Sequence, residues 1–301
     1  MSEGQRVDSG RSGAEILVGY DGSPDAAAAL EWALDQARRD GRPVRLAYVF
    51  EWLTVAGWVG PGMTPGMWPD EKARRQVEEL VVKAAADAAA THPDLTVRGE
   101  VLDGPPAVML EDGSARAGLL VLGSRGQGGF AGLLAGSTAV AVTAHAHCPV
   151  VVVRNRSAEG ARAGHVAVGV DGSEHSLLAL GFAVEQAALR RVPLHVVRAW
   201  QPRRDQWSLL AEQARDAVAA EHAAEVEESV RRWRDSFPEV EITVETAAAA
   251  PAGLLIDASR NAQLVVVGTR GLGGLRGMLL GSVSQQLIQH AHCPVAVVRE
   301  R

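Results

Sequence analysis

The feature that most restricts the fold of this chain is that it is written twice. ILVGYDGS at residues 16–23 returns as VAVGVDGS at 166–173, and AHCPVVVVR at 146–154 returns as AHCPVAVVR at 291–299. Between them lies a glycine-rich loop, GSRGQGGFAGLLAGST at 123–138, which returns as GTRGLGGLRGMLLGSVS at 268–284. Whatever one copy folds into, the other must fold into as well. The early match is more widely spaced than the later ones, so the second copy is the shorter. The missing residues fall after the second strand, where the Gly- and Pro-rich EWLTVAGWVGPGMTPGMWPD (51–70) faces the shorter AWQPRRDQWS (199–208). With 301 residues there is room for about two domains of ordinary size. The expected division is a disordered lead-in at 1–13, a first domain at 14–154, a linker at 155–163 and a second domain at 164–299. The linker is small, polar and unpatterned.

Within each copy, short apolar runs alternate with helical patterns. Ile16 to Gly19 reads as a strand, followed by Ser23 as an N-cap and Pro24 at the first helical position. Leu30, Ala33, Leu34 and Ala37 make one helix face, which stops at Gly41. Further strands are expected at 44–50, 95–101, 119–122 and 150–153, and further helices at 71–90, 105–116 and 138–146. Val77, Leu80, Val81 and Ala84 form the apolar stripe of the second helix. The second copy places strands at 166–170, 194–199, 241–246, 264–267 and 295–298. Continuous apolar strands separated by helices predict two tandem α/β units. Each is a doubly wound, five-stranded parallel sheet covered on both faces. Ligands of such sheets bind beyond the carboxyl ends of the strands, where strand order reverses.

The glycine loops sit at such ends. Gly123, Gly126 and Gly136 keep the spacing of Gly268, Gly271 and Gly281. Glycine lets the backbone approach a ligand, successive N–H groups can cradle an anion, and a helix N-terminus favours negative charge. Ser137 or Thr138, and Ser282 or Ser284, can add a hydroxyl donor. A phosphate is the natural guest; a plain loop before a capped helix is the competing reading. The loop lacks the lysine of a P-loop and follows the fourth strand, not the first, as a dinucleotide loop would. Asp21 and Asp171 end the first strands. Each can accept from an adenine amino group or a ribose hydroxyl, lie near a metal, or build a turn with Gly22 or Gly172.

Composition closes other routes. The net charge is −6, so no broad attraction to nucleic acid or anionic membrane is expected. No apolar run reaches the roughly 20 residues of a membrane span, and the polar start lacks the core of a signal peptide. Two cysteines fit a reducing compartment, so a cytoplasmic location is expected. Asn155-Arg156-Ser157 then matches a glycosylation acceptor only by accident. His145, His147 and Cys148, with His290, His292 and Cys293, do not match zinc spacing and read as helix ends leading into buried strands. Arg231, Arg232 and Arg234 read as a solvated helix face.

The strand followed by G-x-x-G, nine residues and G-S/T, with D-G-S after the first strand and H-C-P-V before the fifth, resembles the ATP-binding branch of the universal stress protein family. The resemblance covers nearly the whole chain. It implies a Rossmann-like fold of the adenine nucleotide alpha hydrolase type and dimerisation through the last strands. A tandem chain satisfies that internally as a pseudo-dimer, with a further homodimer possible. It implies ATP with Mg²⁺ as the ligand. Asp21 and Val49 would flank the adenosine of the first domain, with Gly123, Arg125, Gly126, Gly136, Ser137 and Thr138 at ribose and phosphates. The second set is Asp171, Ala199, Gly268, Arg270, Gly271, Gly281, Ser282 and Val283. A guanidinium suits phosphate geometry, so Arg125 and Arg270 are either phosphate ligands or ordinary surface arginines. The implied function is a nucleotide-dependent regulator of stress response or persistence, with slow or no hydrolysis and an unidentified protein partner. A weak ATPase or nucleotidyl-transfer enzyme, and a scaffold with structural nucleotide, are the alternatives. The loops carrying Trp52, Trp58, Trp68, Trp200 and Trp207 either cover the nucleotide or pack a partner.

Overall fold

The computed structural model describes residues 14–51, 71–127, 135–155, 164–200, 212–273 and 279–299. The lead-in at 1–13, nearly all of the linker, the middle of each glycine loop and four of the five loop tryptophans lie outside these residues.

The first half runs β1 (Ile16–Gly19), α1 (Pro24–Asp40), β2 (Val44–Phe50), α2 (Glu71–Thr91), β3 (Val97–Asp103), α3 (Pro106–Ser114), β4 (Leu119–Gly123), α4 (Ser137–His145) and β5 (Val150–Val153). The second repeats it: β6 (His165–Gly169), α5 (Glu174–Arg190), β7 (Leu194–Ala199), α6 (Glu212–Ser236), β8 (Ile242–Ala247), α7 (Pro251–Ala258), β9 (Ala262–Gly268), α8 (Ser282–His290) and β10 (Val295–Val298). The strands form one sheet, in the order β3-β2-β1-β4-β5-β10-β9-β6-β7-β8. Pairing is parallel within each half. At the centre β5 and β10 pair antiparallel, Val295 opposite Val152.

The strand pattern follows from burial on both faces. Ile16 and Val18 belong to the core under α1, α2, α5 and α6, while Leu17, between them, belongs to the core under α3, α4, α7 and α8. Both cores run through both halves, so the antiparallel seam is interior. Strands covered twice need no polar alternation, which is why VVVV at 150–153 is wholly buried.

Ser23 caps α1 by accepting from the Ala26 N–H at 3.2 Å, and Gly41 ends it at φ 73°. Ser173 caps α5 in the same way, and Arg191 takes the left-handed position at φ 55°. β3 lies two residues beyond its expected span. It pairs with β2 from Val44–Val97 to Phe50–Asp103, so its ends follow its neighbour, not its own apolar content. The stripe of α2 turns through Val81, Ala85 and Ala88; Leu80 is exposed instead. Gly113 is the last residue but one of α3. A Cβ there would meet the Leu17 side chain at 2.8 Å, so the glycine lets α3 pack close to β1.

Candidate functional site

Strand order reverses between β1 and β4, and again between β6 and β9. A cavity opens at each reversal, about 360 Å³ in the first half and about 400 Å³ in the second. The first is lined by Asp21 and Val49 from the ends of β1 and β2, by Gly123, Arg125 and Gly126 after β4, and by Gly136, Ser137 and Thr138 at the start of α4. The second is lined by Asp171, Ala199, Gly268, Arg270 and Gly271, and by Gly281, Ser282 and Val283 at the start of α8. The fold thus brings both sequence-expected sets together, each around one cavity.

The two aspartates build the loop. Asp21 Oδ1 accepts from the Ser23 N–H at 2.9 Å, and Oδ2 accepts from the Gln127 N–H at 2.8 Å. Asp171 does the same with Ser173 at 3.0 Å and Leu272 at 2.7 Å, and also accepts from the Ser173 hydroxyl. Burial pushes the Asp171 carboxyl up, but the Ser173, Leu272 and Ser176 hydrogen bonds together hold it below its usual value. Each carboxylate therefore ties the strand-one turn to the glycine loop.

That explains several of the glycines. A Cβ at Gly126 would lie 2.5 Å from Asp21 Oδ2, and one at Gly271 would lie 2.2 Å from Asp171 Oδ2. A Cβ at Gly123 would meet the backbone of Asp25 at 2.7 Å, and one at Gly268 that of His175 at 2.8 Å. These four positions are kept bare by the protein itself, a reason the spacing alone did not reveal.

The helix starts differ in kind. α1 and α5 are closed by serine side chains, whereas α4 and α8 begin at Gly136 and Gly281 with no side-chain cap. Their first N–H groups have no intrahelical acceptor and lie where the cavities are lined. Ser284, expected as a further donor, is committed elsewhere: its buried hydroxyl donates to the Gly268 carbonyl at 2.8 Å.

Asp25 was not singled out by its sequence position. It is buried and accepts from the Ser124 hydroxyl at 2.7 Å, the Arg125 N–H at 3.1 Å and the Asn155 N–H at 3.2 Å. The Arg125 Nε stands 3.6 Å from it. Its signal was the mismatch between repeats, because the matching residue is His175. Tyr20, Tyr48 and Glu51 also line the first cavity. Burial, then Asp21, raises both tyrosine hydroxyls above their usual range, so both stay neutral donors.

Cys148 and Cys293 are buried beneath the sheet, and burial pushes the Cys293 thiol up to about 12. His145 Nδ1 lies 2.8 Å from the Ala141 carbonyl at the end of α4. Among the described residues no group of three or more histidine, cysteine, aspartate or glutamate side chains could hold a metal ion. No described helix is long and apolar enough to cross a membrane.

Comparisons with known proteins agree with this fold. The profile of the universal stress protein family matches residues 14–154 and again 163–299. The chain is 34% identical over 299 residues to Universal stress protein Rv2623 of Mycobacterium tuberculosis, covering 98% of this chain and 99% of that one. It is 35% identical over 294 residues to a universal stress protein of Mycolicibacterium smegmatis, covering 95% and 97%. The crystal structure of a universal stress protein from Archaeoglobus fulgidus superposes with a TM-score of 0.68 at 20% identity, covering 96% and 97%. That similarity bears on the fold alone. With two family matches that together span nearly all of its length, the chain belongs to the universal stress protein family.

Proposed function

We propose that this chain is an ATP-binding regulator of a stress response, taking one adenine nucleotide in each cavity and hydrolysing it slowly or not at all. The observation that carries the reading is the pair of uncapped helix starts. α4 and α8 begin at glycines beside the cavities with no side-chain cap, so their first N–H groups are left to whatever lies there, and each is joined by an arginine of the preceding loop, Arg125 or Arg270. Backbone donors, a helix dipole and a guanidinium together suit a phosphate chain. The lining also includes apolar side chains, Val49 and Leu110 in the first cavity and Ala199 and Leu255 in the second, which suit a base. Volumes of 360–400 Å³ match a nucleotide-sized guest.

Hydrolysis needs a placed water, a base and a charge clamp. Asp21 and Asp171 are spent on loop N–H groups, which favours binding over turnover. Mg²⁺ would then ride on the phosphates and supply charge neutralisation there, not sit on a carboxylate of these loops. The antiparallel seam supports an internal pseudo-dimer, with a regulatory protein partner reading the nucleotide state. The cytoplasm is the compartment this reading requires.

The test is to denature freshly purified protein, identify the released nucleotide by chromatography and titrate the emptied chain with Mg²⁺–ATP by calorimetry. A capacity near two ATP per chain is expected. No released nucleotide and no heat of binding would remove the ATP reading and leave a scaffold. Turnover that disappears in a Gly126→Ala, Gly271→Ala variant would favour the enzyme instead.

A further inference from the structure

The two cavities differ in the residue beneath the arginine. Asp25 and His175 occupy matching places: the bare face of Gly123 rests on the Asp25 backbone, and that of Gly268 rests on the His175 backbone. In the first half, Asp25 is a buried carboxylate held by Ser124, the Arg125 N–H and Asn155, with the Arg125 guanidinium 3.6 Å away. In the second half, Arg270 meets an imidazole instead. Its Nε and its NH2 lie 3.2 and 3.0 Å from His175 Nε2. Accepting from a guanidinium requires that nitrogen to be unprotonated, so His175 orients Arg270 without cancelling its charge. Arg270 has no carboxylate partner among the described residues.

The rest of the surroundings points the same way. Around the first cavity Asp21, Asp25 and Glu51 stand against Arg125 alone. Around the second, Asp171 stands against Arg270. Arg198, whose guanidinium comes close to Gly172, is matched by Glu225 at 3.1 Å. The described part of the first site thus carries an excess of negative charge, and that of the second is balanced.

We propose that the two sites are not equivalent: the second half is the polyphosphate site, with Arg270 as its specificity-determining residue, and the first half binds nucleotide with weak regard for phosphate number. This rests on the nucleotide reading above and extends it. A guanidinium already shared with a buried carboxylate gains less from a phosphate than one held by a neutral ring.

The test is calorimetry on the full chain, emptied of nucleotide, with Mg²⁺–ATP and separately with AMP. Native protein is expected to show two classes of site for ATP, about tenfold or more apart, with a smaller gap for AMP. Arg270→Ala should remove the tighter class, and Arg125→Ala should weaken the other. His175→Asp copies the first half into the second and should cost the tight site about tenfold in ATP affinity. His175→Asn, uncharged and of similar reach, should stay within about twofold. Both variants are checked for native circular dichroism. Equal sites in the native protein, or equal losses in His175→Asp and His175→Asn, would overturn the inference while leaving nucleotide binding intact. No binding of either nucleotide would remove the underlying reading as well.

Discussion

Gly41 and Gly126 lack side chains for unrelated reasons. Gly41 has φ 73° at the end of α1, and nothing lies within 4 Å of where its Cβ would be. Gly41→Ala should therefore cost about 1 kcal/mol in urea unfolding, purely through the backbone, and leave ATP affinity unchanged. At Gly126 the added carbon would land 2.5 Å from the Asp21 carboxylate, which must then release the Gln127 N–H. Gly126→Ala should cost about 1–3 kcal/mol of stability and lower ATP affinity of the first site by roughly tenfold, read by calorimetry. The helix-stop role of Gly41 was legible in the sequence because it is local. The role of Gly126 was legible only in part: the spacing pointed to a ligand, while the residue that forbids a side chain is Asp21, over a hundred positions away. Asp25 stayed hidden for the same reason. In sequence it is an acidic first-turn residue, and only the fold brings Ser124, Arg125 and Asn155 to it.

Among elements, the amino ends of β1–β2–β3 and β6–β7–β8 show how the repeats diverged. In the first half Arg45 is gripped by Glu15 and Glu100, and Arg98 joins Glu15 at 2.6 Å. In the second, His165 and His195 meet edge to face at 5.2 Å, and His195 Nε2 lies 2.9 Å from Glu245. Burial, and then the neighbouring His195, pull the His165 imidazole below its usual 6.5. The native state thus keeps His165 neutral where the unfolded chain would protonate it. Above 6.5 there is no penalty; as pH falls from there through the lowered native value, the unfolded state binds the extra proton and stability declines. Unfolding midpoints measured from pH 8 to 5 should fall on the acid side, and His165→Asn should flatten that fall. Strand positions were read from apolar runs to within about two residues. β3 drifted because its register belongs to β2, and Leu80 left the α2 stripe because it lies against the Asp21–Gly22 turn, where a Cβ on Gly22 would meet it at 3.1 Å.

At the scale of the molecule, the seam is clasped as well as hydrogen-bonded. Arg299, after β10, donates to the Ala146 and Ala144 carbonyls at the end of α4, at 2.6 and 2.7 Å. Arg154, after β5, donates to the Ile288 carbonyl in the last turn of α8. Each arginine closes a helix of the opposite half, at the end where the dipole favours a cation. Burial, and then the charge of Arg270, lower the Arg299 guanidinium from its usual value. Arg299→Ala should lower the unfolding free energy by about 2 kcal/mol. The duplication announced two matching units; their joining through β5 and β10 was expected from family resemblance, since four consecutive valines do not name a partner strand.

Antiparallel pairing at the seam also fixes which way the two cavity mouths look. The strands of one half run opposite to those of the other, so their carboxyl ends emerge on opposite rims of the sheet. A protein that docks on one rim faces one mouth only. Reading both would take a partner that wraps the sheet, or two partners, so on the nucleotide reading proposed above the chain would serve as a two-channel reporter with back-to-back outlets.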